Sequence, residues 1–174
     1  YYRSQKEFNL WGCSSVGRAS ALLDKLQFNI MNDTKKQGNL TELQCMTAFT
    51  ELGYVVSIPF GEDSRYDFIA DIDNKLYKIQ CKTSSEILDG EEVTAIRFKT
   101  VRQSGSRAST YTRTKYQPEE IDYFATSYQG KCYLVPLIEC SNEKTLRIRP
   151  PKNGQKLGVT FLKDCELSEV IKQL

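Results

Sequence analysis

The sequence contains no histidine. That absence excludes Ser-His-Asp and Cys-His nucleophile systems, His-ligated zinc and every histidine general base, and it leaves any chemistry to carboxylates, Lys and Tyr. No apolar run approaches the roughly 18 residues a membrane helix needs, and no basic-then-apolar leader ending in a small-residue cleavage site is visible. The expectation is a cytoplasmic protein with no membrane partner. None of the six cysteines (Cys13, Cys45, Cys81, Cys132, Cys140, Cys165) forms a CxxC pair. Scattered in this way, they read as small buried apolar residues of a reducing compartment. Charge of one sign is not in excess either, since 24 Lys and Arg against 22 Asp and Glu leave a formal +2. A polyanionic partner would have to be met by a local patch. Internal repeats and low-complexity tracts are missing as well.

The 174 residues, 40% of them hydrophobic, suit one domain with a core of its own. Residues 1–30 keep neither a strand nor a helix period for long and read as a tail outside the core, with at most a short helix around Ala19 to Leu26; the domain proper is expected over 31–174. A polar lead from Asn32 to Gln37 precedes Gly38-Asn39 and a helix from Leu40 to about Leu52, with Gly53 as its C-terminal cap. Alternation and turn residues then predict strands at Tyr54–Phe60, Tyr66–Ile72, Lys75–Thr83, Val93–Lys99, Ile121–Tyr128, Lys131–Glu139 and Leu146–Arg149. Leu167, Val170, Ile171 and Leu174 fall at i, i+3, i+4 and i+7, which predicts an amphipathic closing helix with Asp164 as a cap. The order of helix, mixed sheet and helix makes an α/β or α+β layered domain.

At 100° per residue, Cys45, Met46, Ala48, Phe49 and Leu52 share one arc of the first helix, and Glu42 falls inside it at about 200° from Leu40. A carboxylate on a buried stripe is costly unless a metal or another cation pairs with it. Asn39-x-x-Glu42 also fits a capping box, which would turn Glu42 back onto its own backbone. The following hairpin narrows the choice. If Asp73-Asn74 form a two-residue turn, Ile72 pairs with Lys75 and Asp67 lies across from Gln80, with Cβ atoms roughly 4.5–5.5 Å apart. Alternation puts Lys82 on the face of Gln80 and sends Tyr77, Ile79, Cys81 and Thr83 to the other. Asp67, Gln80 and Lys82 then form either a polar edge facing solvent or a site. Phe68, Ala70 and Ile72 already give this strand a core side.

From Val93 to Pro118 the chain carries Arg97, Lys99, Arg102, Arg107, Arg113 and Lys115, and no acid lies between Glu92 and Glu119. Gln103, Tyr111 and Tyr116, with several Ser and Thr, add donors. Such a stretch suits a loop or strand pair that tracks DNA, with Lys and Arg on phosphates and Arg or Gln at base edges; the plain alternative is a solvated basic loop. Arg147, Arg149 and Lys152 form a second, weaker patch.

Glu42, then Asp67, then Gln80-Cys81-Lys82 resembles the core of the PD-(D/E)XK nucleases, with the closest likeness to group I intron homing endonucleases that use Gln in the third position. Tyr66 stands where the motif has Pro, and Gln80 replaces its carboxylate. The resemblance spans about residues 38–84 and implies a restriction-endonuclease-like core, a mixed central β-sheet flanked by helices. It implies Mg²⁺ held by Glu42, Asp67, Gln80 and the backbone carbonyl of Cys81, and Lys82 acting on the attacking water. Hard oxygen donors suit Mg²⁺. The implied activity is site-specific double-stranded DNA cleavage by a homodimer or homotetramer. A Holliday-junction-resolvase-like nuclease and a non-catalytic nucleic-acid-binding splicing helper are the alternatives on the same fold. Ser14-Ser15-Val16-Gly17-Arg18-Ala19 is what AGC TCA GTT GGT AGA GCA would encode, a string resembling the D-arm of bacterial tRNA genes. It implies a reading frame that starts inside a tRNA gene and enters an intron.

Overall fold

The computed structural model describes residues 34–61, 63–104 and 112–174. The expected tail over 1–30, the boundary at Met31, and Arg107 and Tyr111 of the basic segment lie outside the described residues. Residues 37–174 form one compact unit.

Helix α1 (Thr34–Glu51) buries Thr41, Cys45 and Phe49, an i, i+4, i+8 stripe. It begins six residues before the expected Leu40, so Gly38 and Asn39 lie inside it. Lys35, Lys36 and Gln37 are good helix formers, and together they outweigh the roughly 1 kcal/mol that one internal glycine costs. The capping box Asn39-x-x-Glu42 is therefore not formed, because Asn39 is an interior helical residue. The C-terminus follows expectation. Gly53, at φ 88°, donates its N–H to Thr50 O at 2.9 Å, and the Tyr54 N–H reaches Phe49 O at 3.1 Å, the paired bonds of a Schellman cap.

A five-stranded sheet runs in the order β1 (Val55–Ser57), β2 (Phe68–Ile72), β3 (Lys75–Cys81), β8 (Tyr123–Tyr128), β9 (Lys131–Pro136). Its β3–β8 pair is parallel and its other pairs are antiparallel. The β2–β3 register places Ile72 opposite Lys75 and Phe68 opposite Ile79. The turn residues Asp73 and Asn74 both take positive φ, 52° and 63°, as a two-residue type I′ hairpin requires. A second sheet has the order β11 (Thr160–Phe161), β10 (Glu143–Arg147), β5 (Glu92–Lys99), β4 (Ser85–Asp89), and β6 (Val101–Ser104) pairs with β7 (Thr112–Lys115) as a separate ribbon.

The central strands are buried on both sides, and alternation sorts their side chains into two cores. Cys132 and Leu134 of β9 join Cys45, Phe49, Phe68, Ile79 and Leu167 on the helical side. Tyr133 and Val135 join Ile96, Phe98, Phe124 and Leu146 on the side of the second sheet. The result is the expected mixed α+β, restriction-endonuclease-like architecture: helices, a central mixed sheet and a smaller sheet behind it. Helix α2 is shorter than its apolar spacing suggests, covering only Leu167–Ile171. Asp164 is not its cap, because Leu162 and Cys165 are buried and wind that stretch into a 3-10 turn, Leu162–Cys165. None of the described helices is long and apolar enough to cross a membrane.

Candidate active site

The β2–β3 hairpin aims its polar residues at one place. Asp67 precedes β2, but its N–H still bonds Ile79 O at 2.8 Å, which continues the ladder and sets its side chain across from Gln80. Asp67 Oδ2 accepts from Gln80 Nε2 at 2.5 Å and from the Cys81 N–H at 2.6 Å. Lys82 follows β3, and its N–H is anchored on Ala125 O at 2.8 Å. The Cys81 thiol turns into the helical core, while its carbonyl oxygen stays on the polar side, 3.2 Å from Gln80 Nε2.

Tyr116, which the sequence offers only as one donor in a basic run, ties this face together. Its hydroxyl accepts from Lys82 Nζ at 3.1 Å and donates to Gln80 Oε1 at 3.2 Å. The Lys82 ammonium also lies 5.2 Å from the centroid of its ring, a cation–π contact. The ring is held edge-on against Phe124 with centroids 5.3 Å apart. Thr41 and Thr83 share a hydrogen bond of 3.2 Å between α1 and the chain just beyond β3.

Glu42, half-buried on α1, completes the group electrostatically. Burial pushes its carboxyl above the usual range, the Asp67 charge and then Cys45 push it further, and Lys82 opposes them. Asp67 is raised by burial as well, against the Cys81 N–H, Lys82 and Gln80, which favour its charged form. Two carboxylates so placed disfavour each other's ionisation, and a cation between them would relieve both. No group of three or more His, Cys, Asp or Glu side chains is arranged for a metal among the described residues. The donor set is instead two carboxylates, an amide and a backbone carbonyl, all hard oxygen donors of the kind Mg²⁺ takes. The residues fit that ion.

The basic segment folds as the strand pair, not the loop. In β6 and β7, Val101 faces Lys115 and Arg102 faces Thr114, so Val101, Arg113 and Lys115 share one side of the ribbon and Arg102 lies on the other. Gln103 sits opposite Arg113 in the register. Two adjoining depressions of about 260 and 420 Å³ share Lys99 and Glu143; Lys82 and Arg97 line the first and Arg113 the second. A groove thus leads from Lys82 towards the ribbon. Arg97 is 3.5 Å from Glu143, whereas Lys99, although opposite Glu143 in the β10–β5 register, and Arg113 form no ion pair among the described residues. In the second patch, Arg149 pairs with Glu92 and Lys152 with Asp89 at 2.5 Å, so that patch presents less free charge than its sequence suggests.

A helix carboxylate, a hairpin aspartate and an x-Lys strand on a mixed sheet define the class of metal-assisted nucleases with a restriction-endonuclease-like fold. The family described as PD-(D/E)XK endonuclease matches residues 32–168, and the chain belongs to that family; it is a nuclease, of a kind that generally uses divalent metal ions. Among solved structures it is similar to a bacterial homing endonuclease, I-Ssp6803I, at 17% identity and a TM-score of 0.64, over 82% of this chain and 95% of that one. At that identity the likeness speaks for the fold. No protein of curated function matches the sequence.

Proposed function

We propose that the protein is a Mg²⁺-dependent, site-specific endonuclease of the homing type, encoded in a group I intron and directed at a tRNA gene that lacks the intron. The observation that carries the reading is the convergence of Asp67, Gln80 and Lys82 on one sheet face, against Glu42 and at the head of a basic groove. Glu42, Asp67, Gln80 and the Cys81 carbonyl would hold the ion. Bound there, Mg²⁺ would polarise the scissile phosphate and stabilise charge on the leaving oxygen. Lys82 would orient the attacking water and offset negative charge on the five-coordinate phosphorus. Because Gln80 is neutral, the site carries one negative charge fewer than a three-carboxylate version, so ion affinity should depend more on the DNA phosphate.

The groove would take the strand, with Lys99, Arg113 and Lys115 on phosphates and Arg97, Gln103, Arg107 and Tyr111 as further contacts, while Arg102, expected from sequence to join them, lies on the other side of the ribbon. Cleaving both strands needs two such sites, hence a homodimer or homotetramer acting on a target of matching symmetry. The test is incubation with Mg²⁺ and a plasmid bearing the intronless tRNA gene, followed by mapping of the cut ends. One cut on each strand at the intron insertion point supports the proposal. Preference for a four-way junction over any linear site would assign a resolvase, and metal-independent binding without cleavage would assign a splicing helper.

A further inference from the structure

The Gln80 amide is engaged at both ends. Nε2 lies 2.5 Å from Asp67 Oδ2, and Oε1 lies 3.2 Å from the Tyr116 hydroxyl. A carboxylate oxygen and an amide terminus as close as 2.5 Å need a hydrogen or a cation between them. With no cation, the amide must present its NH₂, because two oxygens at that separation repel. A cation held between Asp67 and Gln80 reverses the requirement. An amide NH₂ is a donor only, so the carbonyl oxygen must then face Asp67.

One rotation of half a turn about the last side-chain torsion connects the two arrangements, and that torsion joins sp³ to sp² carbon and is soft. The other end of the amide is the constraint. Gln80 is only 9% exposed, so an amide end that lost its protein partner would have little solvent to turn to and would be left unsatisfied. A hydroxyl is a partner that serves either way, since it donates to a carbonyl oxygen and accepts from an NH₂. Tyr116 supplies one, fixed in place by its edge contact with Phe124.

We propose that cation binding turns the Gln80 amide through half a turn, and that Tyr116 is the positioning residue that satisfies the amide in both orientations. This rests on the metal-site reading above. The same hydroxyl accepts from Lys82 Nζ at 3.1 Å. When it accepts from Gln80 as well, its proton leaves the amide and its oxygen is shared between two donors, which loosens its hold on Lys82. Ion occupancy is thereby conveyed to the lysine.

The test uses the full-length protein with ¹⁵N in its glutamine side chains, the Gln80 NH₂ resonance being identified by its disappearance in Gln80→Glu. Ca²⁺ is added as a non-cleaving probe in the presence of a DNA duplex, which supplies the phosphate the ion would share, and its binding is followed in parallel by calorimetry against a blank of duplex alone. The proposal expects the NH₂ proton bonded to the carboxylate, shifted downfield in the cation-free protein, to move upfield in step with occupancy. Calorimetric binding with an unmoved Gln80 resonance would overturn the amide turn and leave the metal site standing. Absence of calorimetric binding would overturn the metal site and the turn with it. Tyr116→Phe, with its fold checked by melting temperature, should lower kcat by tens of fold, the scale of a misplaced catalytic group, with DNA affinity in Ca²⁺ changed less than a few fold. A variant whose kcat matches the wild type would refute the positioning role.

Discussion

Replacing both Lys99 and Arg113 with Ala removes two cations that line the groove and form no ion pair among the described residues. Each phosphate neutralised by such a side chain releases counterions and contributes about 0.9 to the slope of log K against log salt. The double variant should therefore flatten the slope for DNA binding by about 1.8. Between 50 and 200 mM salt, the wild type should then lose about tenfold more affinity than the variant. Arg102→Ala is the internal control, because the β6–β7 register sets Arg102 on the opposite side of the ribbon, across from Thr114. Arg97→Ala should have a smaller effect than Lys99→Ala, since Arg97 is shared with Glu143 at 3.5 Å. Fluorescence anisotropy of a labelled duplex in Ca²⁺, repeated over salt, reads the slope for each protein. Equal flattening by Arg102→Ala and Arg113→Ala would refute the assignment of one ribbon face to the strand.

Lys82→Ala should abolish cleavage while DNA affinity in Ca²⁺ stays within a few fold, as measured by single-turnover assay and anisotropy; full cleavage would remove Lys82 from the chemistry. Burial raises both Glu42 and Asp67, and the Asp67 charge raises Glu42 further, so between the unfolded and the raised folded pKa values the folded state binds more protons than the unfolded one and stability falls as pH rises. The penalty begins at the unfolded carboxyl pKa values and is complete above the raised folded ones. Calorimetric melting in EDTA should show that decline, and Ca²⁺ at about a hundred times its Kd should restore about 2.7 kcal/mol at pH 7. For a chain of this size that is roughly 5–11 °C in Tm. Glu42→Gln should melt higher than the wild type in EDTA and gain less from Ca²⁺; a lower Tm in EDTA would contradict the electrostatic account of Glu42.

The hairpin was readable from sequence because two local signals agree. Asp73-Asn74 accept positive φ, and Phe68, Ala70 and Ile72 alternate cleanly towards the core. Together they fix the parity that sets Asp67 against Gln80. Strand β4 is not legible because four of its five side chains are exposed, and the basic segment reads equally as a loop or as the strand pair β6–β7 because all four side chains of β7 are exposed, so no period of two marks either strand. The start of α1 was obscured by Gly38, whose local cost the surrounding helix formers overcome. That same stretch made Glu42 resemble a capping residue. Tyr116 was hidden for a different reason. Its partners Lys82 and Gln80 are 34 and 36 residues away in the chain, and they meet it only because β3 lies parallel to β8 and Tyr116 packs on Phe124. Pairings of that kind are made by tertiary packing and leave no trace in local spacing.

The most direct measurement compares the wild type with Asp67→Asn on the plasmid carrying the intronless tRNA gene, with and without Mg²⁺, and with binding to the same DNA followed in parallel. Asp67 accepts the Gln80 amide and the Cys81 N–H, and its charge is felt at Glu42, so the proposed ion site cannot form without its carboxylate. The account predicts cutting at one position by the wild type in Mg²⁺, none in EDTA, and none by Asp67→Asn although it still binds the DNA. Equal cutting by the two proteins, or wild-type binding with no cutting in Mg²⁺, would contradict it.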